Sequence, residues 1–511
     1  TEQKARMDGV YYSLSICVAL IGFLLIKFLT KQKSPKKLPP SPPSIPIIGH
    51  LYLLKAPIYN SFRSLSNKYG QVLLLKLGTR RVLLVTSASA VEECFTTNDI
   101  IFASRPTRLR AKHLMYDHTT VDTAPYGDLW RNLRRFLTLE IFSSARLATT
   151  SVFRQEEVRL WASGLVKQCQ IKEPAKVELK SKFSELTFNI VTMMILGRRY
   201  YGEHVRESDT AEAAHVRAFM EETFKICGMR DVGDNFPFLW RIDFRGKKIL
   251  NFAEKKDKVF QKWIDDFRAS TTPEANGDSS KRTLIQVLLS LQQCEPEFYT
   301  DKIIKGIILV LVLGGADTTA TTMEWAMCLL LNHPEALKKA RAEIDDKIGQ
   351  SRLIAEEDLP KLTYLKNIIN ETLRLYPPAP ILLPRCSSDE CMVGGFDVPR
   401  NTTLMVNAWA IQRDPKVWKD PESFIPERFE GEAEFGYWLI PFGGGRRGCP
   451  GAVFGGRVVA LALGVLIQLF EWERVADEEV DMTERFAFTM EKADSLEAIC
   501  RPREAINLLF K

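Results

Sequence analysis

The segment 441–451 constrains the fold of this chain more than any other stretch, and it reads PFGGGRRGCPG. Cys449 stands among its glycines and arginines, directly before the apolar run 452–470. Glycine lets a backbone approach a sulfur atom closely and donate N–H groups to it. The N-terminus of a following helix favours a negative charge. The loop therefore predicts that Cys449 is a thiolate ligand of a buried metal cofactor, although a lone cysteine is more often structural.

The same loop contains a second pattern, because Gly443, Gly445 and Gly448 spell the dinucleotide-binding sequence GxGxxG. That sequence binds a dinucleotide only when it follows a strand within a βαβ unit. Only 63 residues follow Gly448, and a long apolar helix is predicted over about the first twenty of them. We therefore reject a dinucleotide-binding fold.

Composition places the chain among ordinary globular proteins. Its 511 residues, 45% hydrophobic and 26% charged, supply a large core. Motifs spread from Trp130 to Cys449 favour one large catalytic unit over the several domains that the length allows. The net charge of +7, without a run of five like charges, argues against nucleic-acid binding and favours a membrane surface or an acidic partner. The ten scattered cysteines are typical of a reducing compartment.

The N-terminal residues predict a membrane anchor. Residues 10–26 form an apolar run about long enough to cross a bilayer, and five lysines follow between residues 27 and 37. Positive charge on this side places the body in the cytosol, whereas a cleaved signal peptide carries its charge before the run. We expect an anchor over residues 1–30, a basic and proline-rich hinge over residues 31–50 and a catalytic domain over residues 51–511.

The remaining chain favours a mainly helical fold with a small β region. Short runs at 72–77 and 81–86 predict strands, and the pattern becomes helical from about residue 89. Residues 301–331 predict one long apolar helix. Asp317 and the threonines near it mark this helix as part of a core rather than a second membrane span.

Residues 314–319 of this helix read GGADTT. Two glycines inside a helix cost about 1 kcal/mol each relative to alanine. They are explained if a flat ring and its axial oxygen lie against the backbone. Asp317 and Thr318 add an acid and an alcohol beside that gap, and such a pair can relay protons. A helix kink with satisfied polar groups is the alternative.

Three further patterns are uninformative when taken alone. Glu371 and Arg374 lie three residues apart, on one face of a predicted helix. Arg428 belongs to the run FIPERF. Trp130 and Arg134 lie one helical turn apart. Their value lies in their order along the chain relative to the cysteine loop.

In this order the patterns resemble those of the cytochrome P450 superfamily, and residues 124–135 and 371–384 look most like plant A-type microsomal members of family 81. The resemblance implies a haem-thiolate fold that is mainly α with a small β region. It makes Cys449 the ligand of a haem b iron, Thr318 the alcohol and Asp317 the acid of oxygen activation. It places a buried network behind the loop, formed by Glu371, Arg374 and Arg428. The other residues that it places against haem are Trp130, Arg134, Ala316, Arg385, Phe442, Gly443, Arg447 and Gly451.

The resemblance also implies how haem and the redox partner are bound. Arg134 and Arg447 neutralise the haem carboxylates, Trp130 donates to one of them, and Arg385 is a further candidate. Electrons come from NADPH through NADPH–cytochrome P450 reductase, because the chain has no flavin or nicotinamide motif of its own. We expect the reductase to dock on the cysteine-loop side, where positive charge is supplied by Arg131, Arg135 and Arg446.

The expected activity is hydroxylation, with O2, of a small apolar plant metabolite such as an isoflavonoid, phenylpropanoid or terpenoid. Thr318 favours this reaction over peroxide rearrangement. The expected location is the endoplasmic reticulum membrane, where one span contacts membrane lipid. The predicted apolar pocket residues are Leu311, Leu313, Ile381, Leu382, Phe488 and Met490. The alternatives are an oxidase that closes methylenedioxy bridges, a haem-binding membrane protein without catalysis, and a pathway scaffold.

Overall fold

The computed structural model describes residues 37–171, 174–205, 210–229, 233–236, 244–270, 282–431, 435–486 and 489–503. The predicted anchor at residues 1–30, the first part of the hinge at residues 31–36 and the predicted pocket residue Phe488 lie outside the described residues. Within the described residues the fold is mainly helical with four small sheets, as predicted.

The helices are α1 (Ile58–Tyr69), α2 (Ala88–Phe95), α3 (Leu109–Leu114), α4 (Asp128–Phe136), α5 (Ser144–Thr149), α6 (Ser151–Ile171), α7 (Leu179–Leu196), α8 (Thr210–Gly228), α9 (Phe244–Ser270), α10 (Leu284–Cys294), α11 (Asp301–Gly315), α12 (Asp317–Asn332), α13 (Pro334–Lys347), α14 (Thr363–Leu375), α15 (Ala408–Ile411) and α16 (Ala452–Leu469). The strands are β1 (Val72–Leu77), β2 (Arg80–Val85), β3 (Ala175–Glu178), β4 (Arg385–Cys386), β5 (Cys391–Val393), β6 (Phe396–Val398), β7 (Thr403–Val406), β8 (Phe470–Arg474), β9 (Glu484–Phe486), β10 (Met490–Lys492) and β11 (Glu497–Pro502). The predicted strands at 72–77 and 81–86 are confirmed as β1 and β2.

The largest sheet joins an early part of the catalytic unit to strands that lie more than 300 residues later, between residues 385 and 406. Its strand order is β1-β2-β7-β4, and the other sheets are β3-β11-β8, β9-β10 and β5-β6. Leu74 pairs with Leu83 in antiparallel register, whereas Leu84 pairs with Met405 in parallel register. The parallel pairing fixes the early strands beside the chain segment that leads to the cysteine loop.

The centre of the fold is formed by α7, α11, α12 and α16. Two apolar stretches of the described residues are long enough to cross a bilayer, namely residues 301–332 and α16, and most of each is buried inside the protein. A helix that is apolar on all sides is expected in such a core. The prediction that residues 301–331 form core rather than membrane-spanning structure is therefore confirmed.

The predicted long helix is confirmed in its extent, since residues 301–332 form one helical stretch with a one-residue distortion at Ala316. α11 ends at Gly315 and α12 begins at Asp317, with a turn at Ala316. Two successive glycines weaken the helix here, and the hydroxyl of Thr318 donates to Gly314 O at 2.7 Å. Backbone weakness and a competing side-chain donor together account for the distortion at Ala316.

The described part of the hinge, residues 37–50, lies along the outer edge of β1. Leu74 N donates to Pro40 O at 2.9 Å, and His50 N donates to Lys76 O at 2.7 Å. His50 Nδ1 accepts from Lys76 N, also at 2.7 Å. Proline is tolerated at a sheet edge, where its missing N–H is not needed. This part of the hinge is therefore fixed to the body.

Candidate active site

The cysteine loop is a tight turn that ends at α16. Gly443 and Gly445 adopt φ angles of +68° and +59°, which glycine adopts without strain. Gly448 N donates to Gly445 O at 3.0 Å, and Cys449 N donates to Phe442 O at 2.9 Å. These backbone bonds hold the thiol at the face of the loop, where the Cys449 side chain is accessible although α16 behind it is buried.

Asp99 fixes this loop from a distant part of the chain. Its buried carboxylate accepts from Arg446 N at 3.2 Å and from Arg446 Nη1 at 2.6 Å. It packs so closely that a Cβ on Gly445 would overlap Asp99 Oδ1 and lie 2.8 Å from Phe95 O. Sequence reasoning missed Asp99, because it precedes Arg446 by 347 residues and belongs to no motif.

The surroundings of Cys449 suit a metal-bound thiolate better than a free one. Desolvation of the thiol by the surrounding loop raises the pKa of Cys449 above the ordinary value. The backbone N–H of Gly451 and the guanidinium of Arg134 act in the opposite direction. A bound metal cation deprotonates a coordinating thiol outright.

The break between α11 and α12 leaves open space beside Gly314. Gly314 is exposed within an otherwise buried helix, and a Cβ there would meet none of the described residues within 4 Å. Gly315 is required for another reason, because a Cβ added at this position would lie 2.9 Å from Val191 Cγ2 on α7. The two glycines therefore differ: Gly314 borders the gap, and Gly315 permits close helix packing.

The gap and the cysteine loop lie in the same region of the fold. A Cβ on Gly455, in the first turn of α16, would lie 3.8 Å from Thr319 Oγ1, in the first turn of α12. Ala316 is buried in the apolar cluster around α11. The open space therefore lies beside Gly314 rather than beside the predicted contact residue Ala316, because the turn directs the alanine methyl group into the core.

Asp317 is buried, and two elements outside its own helix hold its carboxylate. Thr489 Oγ1 donates to Oδ2 at 2.7 Å, and Lys180 Nζ lies 3.8 Å from Oδ1. Burial raises the pKa of Asp317, while Lys180 and Thr489 act to lower it. A carboxyl group in this state, next to Thr318 in the chain, can hold or release a proton. The sequence motif contained neither Thr489 nor Lys180.

The structure brings Glu371, Arg374 and Arg428 together. Arg374 donates to Glu371 through Nε at 2.6 Å and through Nη2 at 2.8 Å, and both side chains are fully buried. Arg428 Nε lies 3.3 Å from Glu371 Oε1. The remaining N–H groups of Arg374 donate to the carbonyl oxygens of Gln412, Pro421 and Ser423. All five guanidinium donors are thus satisfied, as a buried cation requires.

Gln412 connects this network with the cysteine loop. Its Nε2 donates to Leu373 O and Arg374 O, both at 2.9 Å. Its Oε1 accepts from Ile440 N at 3.0 Å, directly before the loop. Because this buried amide makes all of these hydrogen bonds, it holds the start of the cysteine loop rigidly relative to the network. Gln412 was missed because no sequence pattern distinguishes it.

Trp130, Arg134 and Arg447 also lie together, beside the cysteine loop. Arg134 Nη1 donates to Gly448 O at 2.6 Å, and the Arg447 guanidinium lies 4.5 Å from the centroid of the Trp130 ring. Trp130 Nε1 and Arg447 Nη1 both donate to Val121 O, at 3.1 Å and 2.9 Å. In this structure their donors therefore bind backbone carbonyls.

Arg105 and Arg385 extend this group into a buried positive cluster. The pKa values of Arg385 and Arg447 fall to about 9, chiefly through burial and then through the neighbouring charge of Arg105. Arg385 Nη1 is buried and has no hydrogen-bond partner among the described residues, with Asp99 Oδ1 at 3.6 Å. Such an excess of buried cations fits an anionic ligand. The residues present thus fit haem, whose two carboxylates supply negative charge beside a thiolate.

The predicted pocket side chains do not all face the gap. Leu311 and Leu313 belong to the apolar cluster around α11. Met490 packs with Tyr59 and Trp409 in a separate cluster, against which the predicted pocket residue Ile381 also packs.

A haem-thiolate monooxygenase requires a cysteine that can ligate iron and cations that can bind the haem carboxylates, within one helical fold. The fold and the site of this chain define that class. The chain belongs to the cytochrome P450 family, whose model, described as Cytochrome P450, matches residues 39–496. A solved zebra fish cytochrome P450 bound to progesterone superimposes with a TM-score of 0.75 at 25% identity, covering 88% of this chain and 100% of that one. Haem with a cysteine thiolate on its iron is the cofactor of this family.

Relatives confirm the resemblance to plant family 81. The chain is 48% identical over 497 residues to Cytochrome P450 81Q32 of Catharanthus roseus, covering 97% of each chain. It is 43% identical over 491 residues to isoflavone 2'-hydroxylase of Glycyrrhiza echinata, covering 96% of this chain and 97% of that one. It is 43% identical over 509 residues to (+)-piperitol/(+)-sesamin synthase CYP81Q2 of Sesamum radiatum, covering 99% of this chain and 98% of that one.

Proposed function

We propose that the protein hydroxylates a small apolar plant metabolite of isoflavonoid, phenylpropanoid or terpenoid type, using O2 and electrons from NADPH. The observation that carries this proposal is the accessible thiol of Cys449 near the gap at Gly314. The similarity to an isoflavone 2'-hydroxylase supports an aromatic substrate class.

In this proposal haem, bound through Cys449, supplies the oxygen chemistry. Thr318 holds a hydroxyl beside the gap, and Asp317 holds the proton that this hydroxyl passes on. The Glu371 network and the backbone bonds of the loop keep the sulfur in place. Arg134, Arg385 and Arg447 would bind the haem carboxylates, with Trp130 as a further donor. Phe442, Gly443 and Gly451 would shape the face of the loop that contacts haem.

A basic surface groove supports a reductase as the redox partner. The groove has a volume of about 390 Å³ and is lined by Arg131, Arg134, Arg135 and Arg446, among others. A redox partner with acidic groups on its docking face would associate faster with such a surface, because complementary charges steer the encounter. The same proposal includes an anchor at residues 1–30 in the lipid of the endoplasmic reticulum membrane, a hinge at residues 31–50 and a cytosolic catalytic domain.

The test is reconstitution with reductase and NADPH on a panel of isoflavones, other phenylpropanoids and terpenoids. We expect a product that carries one added oxygen atom and a strongly red-shifted Soret band in the reduced, carbon-monoxide-bound protein. Cys449→Ser should lose both, because serine supplies no thiolate. Cys294→Ser, at an exposed free cysteine, is the matched control and should keep both. Bound haem without the red-shifted band in the wild type would refute thiolate ligation.

A second candidate function is closure of a methylenedioxy bridge, and the similarity to (+)-piperitol/(+)-sesamin synthase favours it. Ring closure of an ortho-hydroxy-methoxy arene removes two hydrogen atoms and adds no oxygen to the product. Mass spectrometry of the product therefore separates the two reactions. A haem-binding protein without catalysis, or a scaffold, would instead show no NADPH-dependent turnover of any substrate.

A further inference from the structure

Asp317, the acid of the proposed function, has one short side-chain donor among the described residues. Thr489 Oγ1 donates to Asp317 Oδ2 at 2.7 Å, and the side chains of both residues are buried. Lys180 Nζ lies 3.8 Å from Asp317 Oδ1, which is beyond hydrogen-bond distance. The direction of the carboxylate therefore depends on a residue 172 positions away in the chain.

Thr489 is itself held in place by its neighbours. Met490 N donates to Pro378 O at 3.0 Å, and Met490 O accepts from Trp325 Nε1 at 2.9 Å. These two bonds tie β10 to the segment after α14 and to the middle of α12. The backbone at Thr489 is thus fixed relative to the helix that carries Asp317, so the hydroxyl is preorganised for its acceptor.

Lys180 serves several acceptors around the same carboxylate. Its Nζ donates to Thr321 Oγ1 at 2.9 Å and lies 3.9 Å from Glu324 Oε2. Thr321 Oγ1 in turn lies 3.4 Å from Thr489 Oγ1. The cation is therefore shared among neighbours, and it balances the charge of Asp317 without fixing its rotamer.

We propose that Thr489 is a positioning residue that holds the Asp317 carboxylate in the orientation from which it serves Thr318. This inference rests on the proposed function of Asp317 as the proton-relay acid and extends it to the residue directly before β10. The hydroxyl contributes geometry through the bond to Oδ2, and it takes no part in the bond changes of the reaction.

Loss of this bond changes the fate of the electrons. In productive turnover one substrate C–H, O2, two electrons and two protons give an alcohol and water. When the relay is misdirected, O2, two electrons and two protons give hydrogen peroxide, and the substrate stays unchanged. NADPH supplies the electrons in both cases, so the ratio of product formed to NADPH consumed reports on the orientation of Asp317.

The experiment compares holoenzyme variants reconstituted with reductase on a turned-over substrate. Thr489→Val keeps the shape and removes the donor, and we expect the product formed per NADPH to fall about tenfold, since hydrogen bonds to charged groups carry effects of this size. Thr489→Ser should restore most of the ratio. Thr187→Val is the matched control, because Thr187 is equally buried on α7 and donates only within its helix, to Phe183 O and Ser184 O. It should leave the ratio unchanged.

Further measurements separate positioning from a general loss of structure. Thr489→Val should match Thr187→Val in its carbon-monoxide spectrum, its substrate-induced spectral shift and its unfolding midpoint. The solvent deuterium isotope effect of Thr489→Val, in contrast, should rise. The inference is overturned if Asp317→Asn lowers the product ratio and Thr489→Val does not, or if Thr489→Ser fails as Thr489→Val does. If Asp317→Asn keeps the wild-type ratio, the proposed role of Asp317 itself fails.

Discussion

Gly445→Ala tests whether the cysteine loop depends on its close contact with Asp99. Alanine at a φ of +59° costs about 1–2 kcal/mol. Its Cβ would also overlap Asp99 Oδ1 and lie 2.8 Å from Phe95 O, and overpacking of this kind costs a further 1–3 kcal/mol or so. We therefore expect the free energy of unfolding in urea to fall by about 2–5 kcal/mol. The red-shifted band of the reduced, carbon-monoxide-bound protein should weaken in parallel, because the displaced loop carries Cys449.

Gly436→Ala provides the matched control. Gly436 adopts a φ of +48°, and a Cβ there would meet none of the described residues within 4 Å. This variant has the backbone strain without the steric contact, so it should lose only about 1–2 kcal/mol and keep its spectrum. Equal losses of stability in the two variants would show that the loop shifts freely and that Asp99 does not constrain it.

Three other variants test the network, the buried lysine and the arginine cluster. Arg374→Met should cost about 3–5 kcal/mol of unfolding free energy, since it leaves Glu371 buried without its main partner. Arg159→Met, at an exposed ion pair, should cost less than about 1 kcal/mol. Similar losses in the two variants would refute the structural role of the Glu371 network. Burial lowers the pKa of Lys256 to about 7, and Asp257, Cys227 and Lys305 face it. Between about pH 7 and 10 the unfolded chain therefore binds a proton that the folded chain lacks. The stability of the wild type relative to Lys256→Met should rise by about 1.4 kcal/mol per pH unit in this window, and this gain in stability should be lost as the pH falls to 7. A flat difference in urea titrations would contradict the shift. Arg385→Met should release haem to apomyoglobin about tenfold faster if Arg385 binds a haem carboxylate, while Arg81→Met, at an exposed arginine, should not.

The site depends on long-range contacts to a degree that its local motifs do not reveal. Asp99 holds the cysteine loop from the segment after α2, and Gln412 joins the same loop to the network around Glu371. Thr489 holds Asp317 from the position directly before β10. Variants at these three positions should therefore change haem spectra or coupling although none of them lies in a recognised motif.

The sequence by itself determined the features that depend on a few neighbouring residues. The glycines around Cys449 and the spacing of Glu371 and Arg374 predicted local geometry, because turns and helical faces follow from φ angles and residue spacing. The helical class and the burial of residues 301–331 followed from apolar patterning. These features are fixed by the chain over short distances, and the structure contains them.

Tertiary structure alone decided what lies opposite these residues. The clamp of Asp99 on Gly445 and the placement of Thr489 against Asp317 result from packing between segments that are far apart in the chain. Residue spacing within one segment contains no information about which distant backbone or carboxylate will approach it. The sequence therefore determined which groups are available for the chemistry, while the packing of the helices and sheets decided which partners orient them and set their pKa values.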